Sequence, residues 1–226
     1  MRTKTLLLTA ALSVAGIATS MAQAVYSVNA VGYVNTPLLP GFNLISNPLD
    51  NKAANGNTIQ NLFGTGVQGT IPDGMIVYYF NAATDQFVSA TYDSLDSAFL
   101  PAANAGQVVA PGEGVFVFVP GAQNVTVTFV GEVPQGAVSN QQLPAGFSIK
   151  ASTVPVAGTV NDLQFPAAPG DIIYEWDPVQ DKYVSNSFDD IDNAWLPTVP
   201  NIAVGEAFFL FKNAPATWTR NFSVNQ

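Results

Sequence analysis

Several residue types that commonly carry chemistry are missing from this sequence. Its 226 residues include no cysteine and no histidine, and only 10% of them are charged. Disulfides and zinc sites of the usual Cys/His type are therefore excluded, and nucleophilic triads that use histidine lack their base. We expect no catalytic residue, no metal and no cofactor, and we predict that the chain is not an enzyme.

Negative charge dominates the few charges that are present. Sixteen acidic residues stand against seven basic ones, a net charge of −9. Two basic residues lie in a predicted leader, so the rest of the chain would carry a net charge of −11. Binding of nucleic acid depends on basic residues that neutralise phosphates. No nucleic-acid partner is expected, because the remaining basic residues are isolated in the sequence: Lys52, Lys150, Lys182, Lys212 and Arg220.

Residues 1–24 have the pattern of a secretory signal peptide. A positively charged start is followed by an apolar run from Leu6 to Ala18 and by the small-residue site Ala22-Gln23-Ala24. The apolar run is shorter than the roughly 20 residues that a membrane span needs, and no membrane span is expected later in the chain. We predict cleavage after Ala24 and export of residues 25–226 to the periplasm, the cell surface or the extracellular space.

The exported part contains an internal repeat. Residues 92–101 read YDSLDSAFLP and residues 188–197 read FDDIDNAWLP, with five of the ten positions identical. Five further blocks match in the same order, at offsets that shrink from 105 to 93 residues. We predict two homologous units, residues 25–133 and 134–226, with a repeat length of about 95–100 residues.

Hydrophobic patterning within each unit predicts strands. Residues 75–80 and 86–92 form a predicted hairpin that recurs at 172–176 and 182–188. Only residues 58–63 and their counterpart 159–164 favour a short helix, with Thr58 and Thr159 as N-caps. The fold expected is all-β, as two tandem homologous β-sandwich-like units of about 95–100 residues, each with one short helix. Two separate sandwiches and one fused core both stay open.

Three segments resemble those of a group of uncharacterised secreted bacterial proteins. They are NAVGYVN at residues 29–35, LPGFNLISNPL at 39–49 and PGEGVFVF at 111–118. The resemblance covers essentially the whole exported chain and implies export and a two-unit β architecture. The group has no established activity, so the resemblance implies none for this chain.

Acidic residues at equivalent positions of the two units are the first candidate sites. Glu113 in Gly-Glu-Gly and Glu206 in Gly-Glu-Ala could form a catalytic pair of carboxylates. We favour a structural role at a turn, because residues that determine the fold recur automatically in a repeat. Aspartates could bind Ca²⁺ or cap turns, although they lack the spacing of an EF-hand: Asp93, Asp96, Asp189, Asp190 and Asp192.

Aromatic residues are the second candidate site, since rings on a β-sandwich can stack on sugars. The candidates are Trp176, Trp195, Trp218, Tyr78, Tyr79, Tyr174 and Tyr183. Trp176 stands where the first unit has Phe80, and Trp195 stands where it has Phe99, an exchange that core positions permit. Core packing is therefore the favoured interpretation, and burial of both Trp195 and Phe99 would weaken the sugar hypothesis.

The function expected is that of an exported, non-enzymatic protein with a structural or adhesive role at the cell surface or in the extracellular space. The alternative is a carbohydrate-binding β-sandwich module, with a polysaccharide as partner. Residues 26–34 resemble the strand that ends each unit. We predict that this strand either pairs with a sheet edge of its own chain or self-associates by adding to the next molecule.

Overall fold

The computed structural model describes residues 30–224, which form an all-β protein. The predicted leader and residues 25–29 lie outside this part. Within residues 30–224, no helix has the length and apolar character needed to cross a membrane. The helices are α1 (Ile59–Gly64) and α2 (Ala102–Ala105), and a 3₁₀ turn covers Gly136–Ser139. The strands are β1 (Val31–Leu38), β2 (Gly41–Ser46), β3 (Ile76–Asn81), β4 (Gln86–Asp93), β5 (Ala98–Leu100), β6 (Gly114–Val119), β7 (Val125–Glu132), β8 (Gln141–Leu143), β9 (Gly146–Lys150), β10 (Gly158–Thr159), β11 (Ile172–Asp177), β12 (Lys182–Asp189), β13 (Ala194–Leu196), β14 (Asn201–Ile202), β15 (Phe208–Lys212) and β16 (Ala216–Trp218).

Two five-stranded antiparallel sheets dominate the fold. One belongs to the first half of the described chain, residues 30–133, and has the order β2-β6-β3-β4-β5. The other belongs to the second half, residues 134–224, and has the order β9-β15-β11-β12-β13. Within each sheet the last strand in the chain lies between the first and the second. The two halves therefore have the same sheet topology, and two-stranded ribbons β1-β7, β8-β16 and β10-β14 complete the fold.

The turns of the two central hairpins each need one residue in a left-handed conformation, and a short polar residue occupies that position in both. The β3-β4 turn carries Asp85 at φ 52° and the β11-β12 turn carries Asp181 at φ 53°. This left-handed conformation is tolerated by aspartate and asparagine far better than by β-branched residues. The same turn chemistry therefore sets the register of both hairpins.

Each half has its own apolar core, and a third cluster joins them. The first core draws its buried side chains from residues 38–129, and the second draws them from residues 143–218. The third cluster contains Leu44 and Phe116 from the first half with Ile149 and Ala207 from the second. The sequence left open two separate sandwiches or one fused core, and the structure combines them. One face of each sheet covers the core of its own half, and the other face packs into the third cluster, which the two halves share.

The prediction of one short helix per unit is wrong in its details. In the first half α1 forms as predicted, with Thr58 Oγ1 accepting the N–H of Asn61, but α2 is an additional helix. In the second half Thr159 makes the equivalent bond to Asp162, and the segment forms only a turn. Gln164 adopts φ 58°, which ends the turn before a second one can form.

The N-terminal strand pairs within its own chain. β1 runs antiparallel to β7 over eight residue pairs, from Val31 opposite Glu132 to Leu38 opposite Val125. The far side of β7 is bridged by Val67, which lies opposite Val127. For the residues that the structure describes, the first of the two predicted pairings is the one observed.

A buried ion pair distinguishes the second core from the first. Lys212 Nζ lies 2.5 Å from Asp171 Oδ2, and the two side chains are 1% and 0% exposed. Lys212 also donates to the carbonyl of Pro166. The equivalent positions in the first half are Val119 and Met75, which are buried and apolar.

Candidate functional site

The two five-stranded sheets face each other through a layer of aromatic side chains. Twelve rings form one connected network with centroid separations of 4.9–6.5 Å. Each half contributes six of them. The layer consists of Phe42, Tyr78, Phe80, Phe87, Phe116, Phe118, Phe147, Tyr174, Trp176, Tyr183, Phe209 and Phe211.

Strand alternation explains why these rings meet. Successive side chains of a strand point to opposite faces of the sheet. On β11, Ile173 belongs to the second core, whereas Tyr174 and Trp176 belong to the aromatic layer. On β3, Val77 belongs to the first core and Tyr78 to the layer.

Six rings of the layer line an open cleft of about 400 Å³, which we call the aromatic cleft. Its lining is Phe42, Tyr78, Phe87, Phe116, Trp176 and Tyr183. Three of these side chains are well exposed, with values of 37% for Phe42, 48% for Phe87 and 43% for Tyr183. The cleft therefore presents a large aromatic surface to solvent at the junction of the two halves.

Trp176 is held firmly in this cleft. Its indole Nε1 donates a hydrogen bond to the carbonyl of Phe42 across the junction at 2.8 Å. Its ring lies 4.9 Å from that of Tyr183 and 5.5 Å from that of Phe116, edge-on in both cases. Among residues 30–224, no charged side chain lines the cleft. Partial burial raises the pKa of the Tyr183 phenol, which stays neutral near pH 7.

The predicted aromatic candidates separate into core and cleft residues. Trp195 and Trp218 are 3% and 1% exposed, and Phe99 is 1% exposed, so these positions have the core role that the sequence favoured. Burial of both Trp195 and Phe99 weakens the sugar hypothesis and excludes these two positions from a sugar site. Tyr79 packs against the first core. The structure brings Trp176, Tyr78 and Tyr183 together in the cleft, and Tyr174 lies in the adjoining layer.

Three cleft residues were not singled out from the sequence: Phe42, Phe87 and Phe116. The sequence contained a signal for two of them, Phe42 and Phe116. Phe42 lies in the repeated Gly-Phe segment, and Phe116 and Phe118 alternate with valine on β6. Alternation of rings along a fully apolar strand marks a second apolar face, which is what this layer requires.

The two halves also meet through reciprocal backbone contacts near the repeated glutamates. Ser46 N–H donates to the carbonyl of Gly205 at 2.9 Å, and the equivalent Ala151 N–H donates to that of Gly112 at 2.8 Å. Both glycines have positive φ, 82° and 85°. The contacts exchange the roles of the two halves, so the junction is symmetric in its backbone.

Side chains break this symmetry at Glu113. Glu113 lies opposite Lys150 in a β-bridge, and Lys150 Nζ is 2.5 Å from its Oε1. Gln141 adds a bond from Nε2 to the carbonyl of Gly112 at 2.6 Å. The first glutamate is therefore neutralised by a lysine of the other half.

Glu206 has different surroundings. Ile45 occupies the bridge position opposite it, and Glu206 Oε2 accepts the N–H of Ala203 at 2.8 Å. Burial raises the pKa of the Glu206 carboxyl, and the charge of Glu175 acts in the same direction. The two repeated glutamates thus have separate partners and do not form a hydrogen-bonded pair in the described chain.

A second cleft, which we call the Glu206 pocket, has a volume of about 230 Å³ and is lined by residues of both halves. Thr36, Ile45 and Glu206 lie in its wall, and Trp176 lines this pocket as well as the aromatic cleft. Thr36 Oγ1 is buried and has no hydrogen-bond partner among residues 30–224. The pocket therefore has in its lining the Glu206 carboxyl and Thr36, a residue whose buried hydroxyl has no partner among residues 30–224.

Two of the five candidate aspartates, Asp93 and Asp189, serve as turn caps, and Asp96 and Asp192 are exposed in the turns that they cap. Asp93 Oδ1 accepts the N–H groups of Leu95 and Asp96, and Asp189 Oδ2 accepts those of Ile191 and Asp192. Asp190 is exposed. In the described part of the chain, no three acidic side chains are grouped so that they could hold a metal ion.

Comparison with protein-family models, with curated proteins and with solved structures gave no match. The inference of function therefore rests on the geometry of the two clefts.

Proposed function

We propose that this chain is an exported, non-enzymatic adhesive protein that binds a neutral polysaccharide through the aromatic cleft. The observation that carries the proposal is the lining of six rings, three of them more than a third exposed. The same chain buries its other two tryptophans completely. An exposed apolar concavity of this kind marks a binding site more often than a packing accident.

The chemistry of the lining favours a sugar. Aromatic faces pack against the C–H faces of sugar rings, while the hydroxyls of Tyr78 and Tyr183 offer hydrogen bonds to sugar hydroxyls. No charged group is needed to hold such a ligand. The net charge of −11 on the exported chain repels acidic polysaccharides, so a neutral one fits best.

Export and duplication belong to the same proposal. The leader pattern and the resemblance to secreted bacterial proteins support export, with the N-terminus of the exported chain at Val25. The common strand order and the reciprocal contacts support two duplicated units, whose boundary would fall between β7 and β8. Sequencing the N-terminus of exported material tests the cleavage after Ala24, and a start at another residue would contradict it.

The binding proposal is tested with a glycan array, and the affinity of each variant for a neutral polysaccharide is measured by titration calorimetry. Trp176→Ala should weaken binding of a neutral polysaccharide about tenfold or more, equivalent to about 1.4 kcal/mol. Trp176→Phe is the matched control, because Phe80 fills the equivalent position of the first half, and it should retain most of the affinity. Tyr183→Ala provides a second cleft variant.

Two results would contradict the proposal. One is the absence of binding above background across neutral glycans by the folded chain. The other is equal binding by the wild type, Trp176→Ala and Tyr183→Ala, with urea midpoints showing that all three are folded.

A further inference from the structure

We propose that the Glu206 pocket binds a primary ammonium group supplied by a ligand. The inference goes beyond polysaccharide binding and does not depend on it, because the residues that carry it lie outside the lining of the aromatic cleft and only Trp176 is shared. Glu206, Thr36 and Ile45 carry the argument, together with their counterparts on the other side of the junction.

The counterpart site shows the chemistry directly. Repeat alignment matches Glu206 with Glu113 and Ile45 with Lys150. At the Glu113 site the lysine ammonium of the other half lies 2.5 Å from the carboxylate, with the lysine side chain only 8% exposed. At the Glu206 site isoleucine occupies the lysine position, so residues 30–224 provide no ammonium there.

The shorter side chains at the Glu206 site leave room for a ligand. The Glu113 site is filled by Lys150 and by Gln141, which reaches the carbonyl of Gly112. Thr36 stands at the position equivalent to Gln141 and is shorter by two heavy atoms. The space that these exchanges leave contributes to the pocket of about 230 Å³ beside Glu206.

Polar atoms in the pocket are also left without partners. Thr36 is 8% exposed, and its hydroxyl oxygen has no hydrogen-bond partner in residues 30–224. Glu206 uses Oε2 to accept the N–H of Ala203, and its Oε1 accepts no hydrogen bond within that part of the chain. A buried polar atom without a partner is costly, and this applies to the Thr36 hydroxyl. An ammonium has three donors to offer to the Glu206 carboxylate and to a hydroxyl of the same lining.

A primary ammonium fits this wall better than a metal ion does. Calcium takes six to eight oxygen ligands, whereas the side chains of the lining offer one carboxylate, one hydroxyl and the Asn43 amide, whose Oδ1 already accepts the N–H of Leu39. The rest of the lining includes Trp176 and Pro178, which suit the carbon skeleton of an amine. An amino sugar and a lysine side chain carry the same group, and the test separates them.

The probe is n-butylammonium, titrated into the folded chain (residues 25–226) and followed by two-dimensional NMR. Saturable shifts are expected at Thr36, Ile45 and Glu206. Glu206→Gln should weaken binding at least tenfold. Ile45→Lys should do the same, because it would supply internally the ammonium that Lys150 supplies at the other site. Asp85→Asn, which removes an exposed carboxylate outside the pocket, should bind as the wild type does.

Tetramethylammonium is the ligand control, since it has the charge but no N–H donor, and it should bind at least tenfold more weakly. Glucosamine and Nα-acetyl-lysine amide then distinguish an amino sugar from a lysine side chain. The ligand that binds more tightly identifies the source of the ammonium, provided that Glu206→Gln abolishes the binding of that ligand. The proposal is overturned if the wild type shows no saturable shifts, if Glu206→Gln binds equally well, or if tetramethylammonium matches n-butylammonium. NMR spectra of each variant show whether it is folded, and Glu206→Gln alone decides the outcome if Ile45→Lys does not fold.

Discussion

The buried pair of Asp171 and Lys212 predicts a sharp contrast between single and double substitutions. Both charges are removed from water, at 0% and 1% exposure. Lys212→Val would leave the Asp171 carboxylate with only the N–H groups of Ala168 and Asn213. Loss of one partner from a buried ion pair costs about 3–5 kcal/mol, because the other charge stays buried and uncompensated.

Replacing both residues should cost much less. Asp171→Met with Lys212→Val reproduces the pair Met75 and Val119 that the first half buries at these positions. The double variant loses the bonds to Ala168, Asn213 and Pro166, each worth about 1 kcal/mol or less. It also no longer bears the cost of burying two charges. We expect it to lie within about 2 kcal/mol of the wild type.

Urea unfolding followed by circular dichroism compares the wild type with the two variants at one pH, and thermal unfolding gives their Tm. For a chain of this length, the single variant should lose about 6–20 °C in Tm, at about 2–4 °C per kcal/mol. Equal m-values would show that the denatured state is unchanged. A cost below about 1 kcal/mol for Lys212→Val, or a double variant as unstable as the single one, would refute the reasoning.

Two further outcomes are expected. Burial raises the pKa of the Glu206 carboxyl, so the native protein holds that proton more tightly than the unfolded chain does, and the stability this provides at low pH is lost as the pH rises through the raised pKa. The urea midpoint of Glu206→Gln should therefore gain on the wild type as the pH rises from about 4, near the ordinary pKa of a glutamate, through the raised pKa, and parallel profiles would contradict this. Pairing of β1 with β7 predicts that residues 25–226 form a monomer in light scattering and that deletion of residues 25–34 lowers Tm without changing the size. Large assemblies that disappear on deletion would support head-to-tail addition instead.

The elements that could be predicted from the sequence are those fixed by local pattern. Both central hairpins follow from alternating side chains and a turn aspartate, and the caps at Thr58 and Asp93 follow from short-range hydrogen bonding. The second predicted helix failed for a local reason as well. The left-handed conformation of Gln164 ends that turn, and no propensity for glutamine indicates it.

The clefts could not be predicted because they depend on contacts between distant segments. Trp176 occupies the position of the buried Phe80 in the repeat, yet it lines two clefts. In the sequence the two positions differ only in the size of the aromatic ring, which does not indicate the different role. The strand β6 is apolar on both faces, so its pattern does not tell which face covers its own core. Likewise, the exchange of lysine for Ile45 is visible in the sequence, but its position opposite Glu206 is not.

The symmetric backbone junction has a consequence for how the two sites can change. In a pair of identical chains, any substitution would occur on both sides of the axis at once. Here the two sides are encoded separately, so Ile45 can stand at one site while Lys150 persists at the other. One glutamate can then keep the halves together through its ion pair while the other is released to recognise something outside the chain.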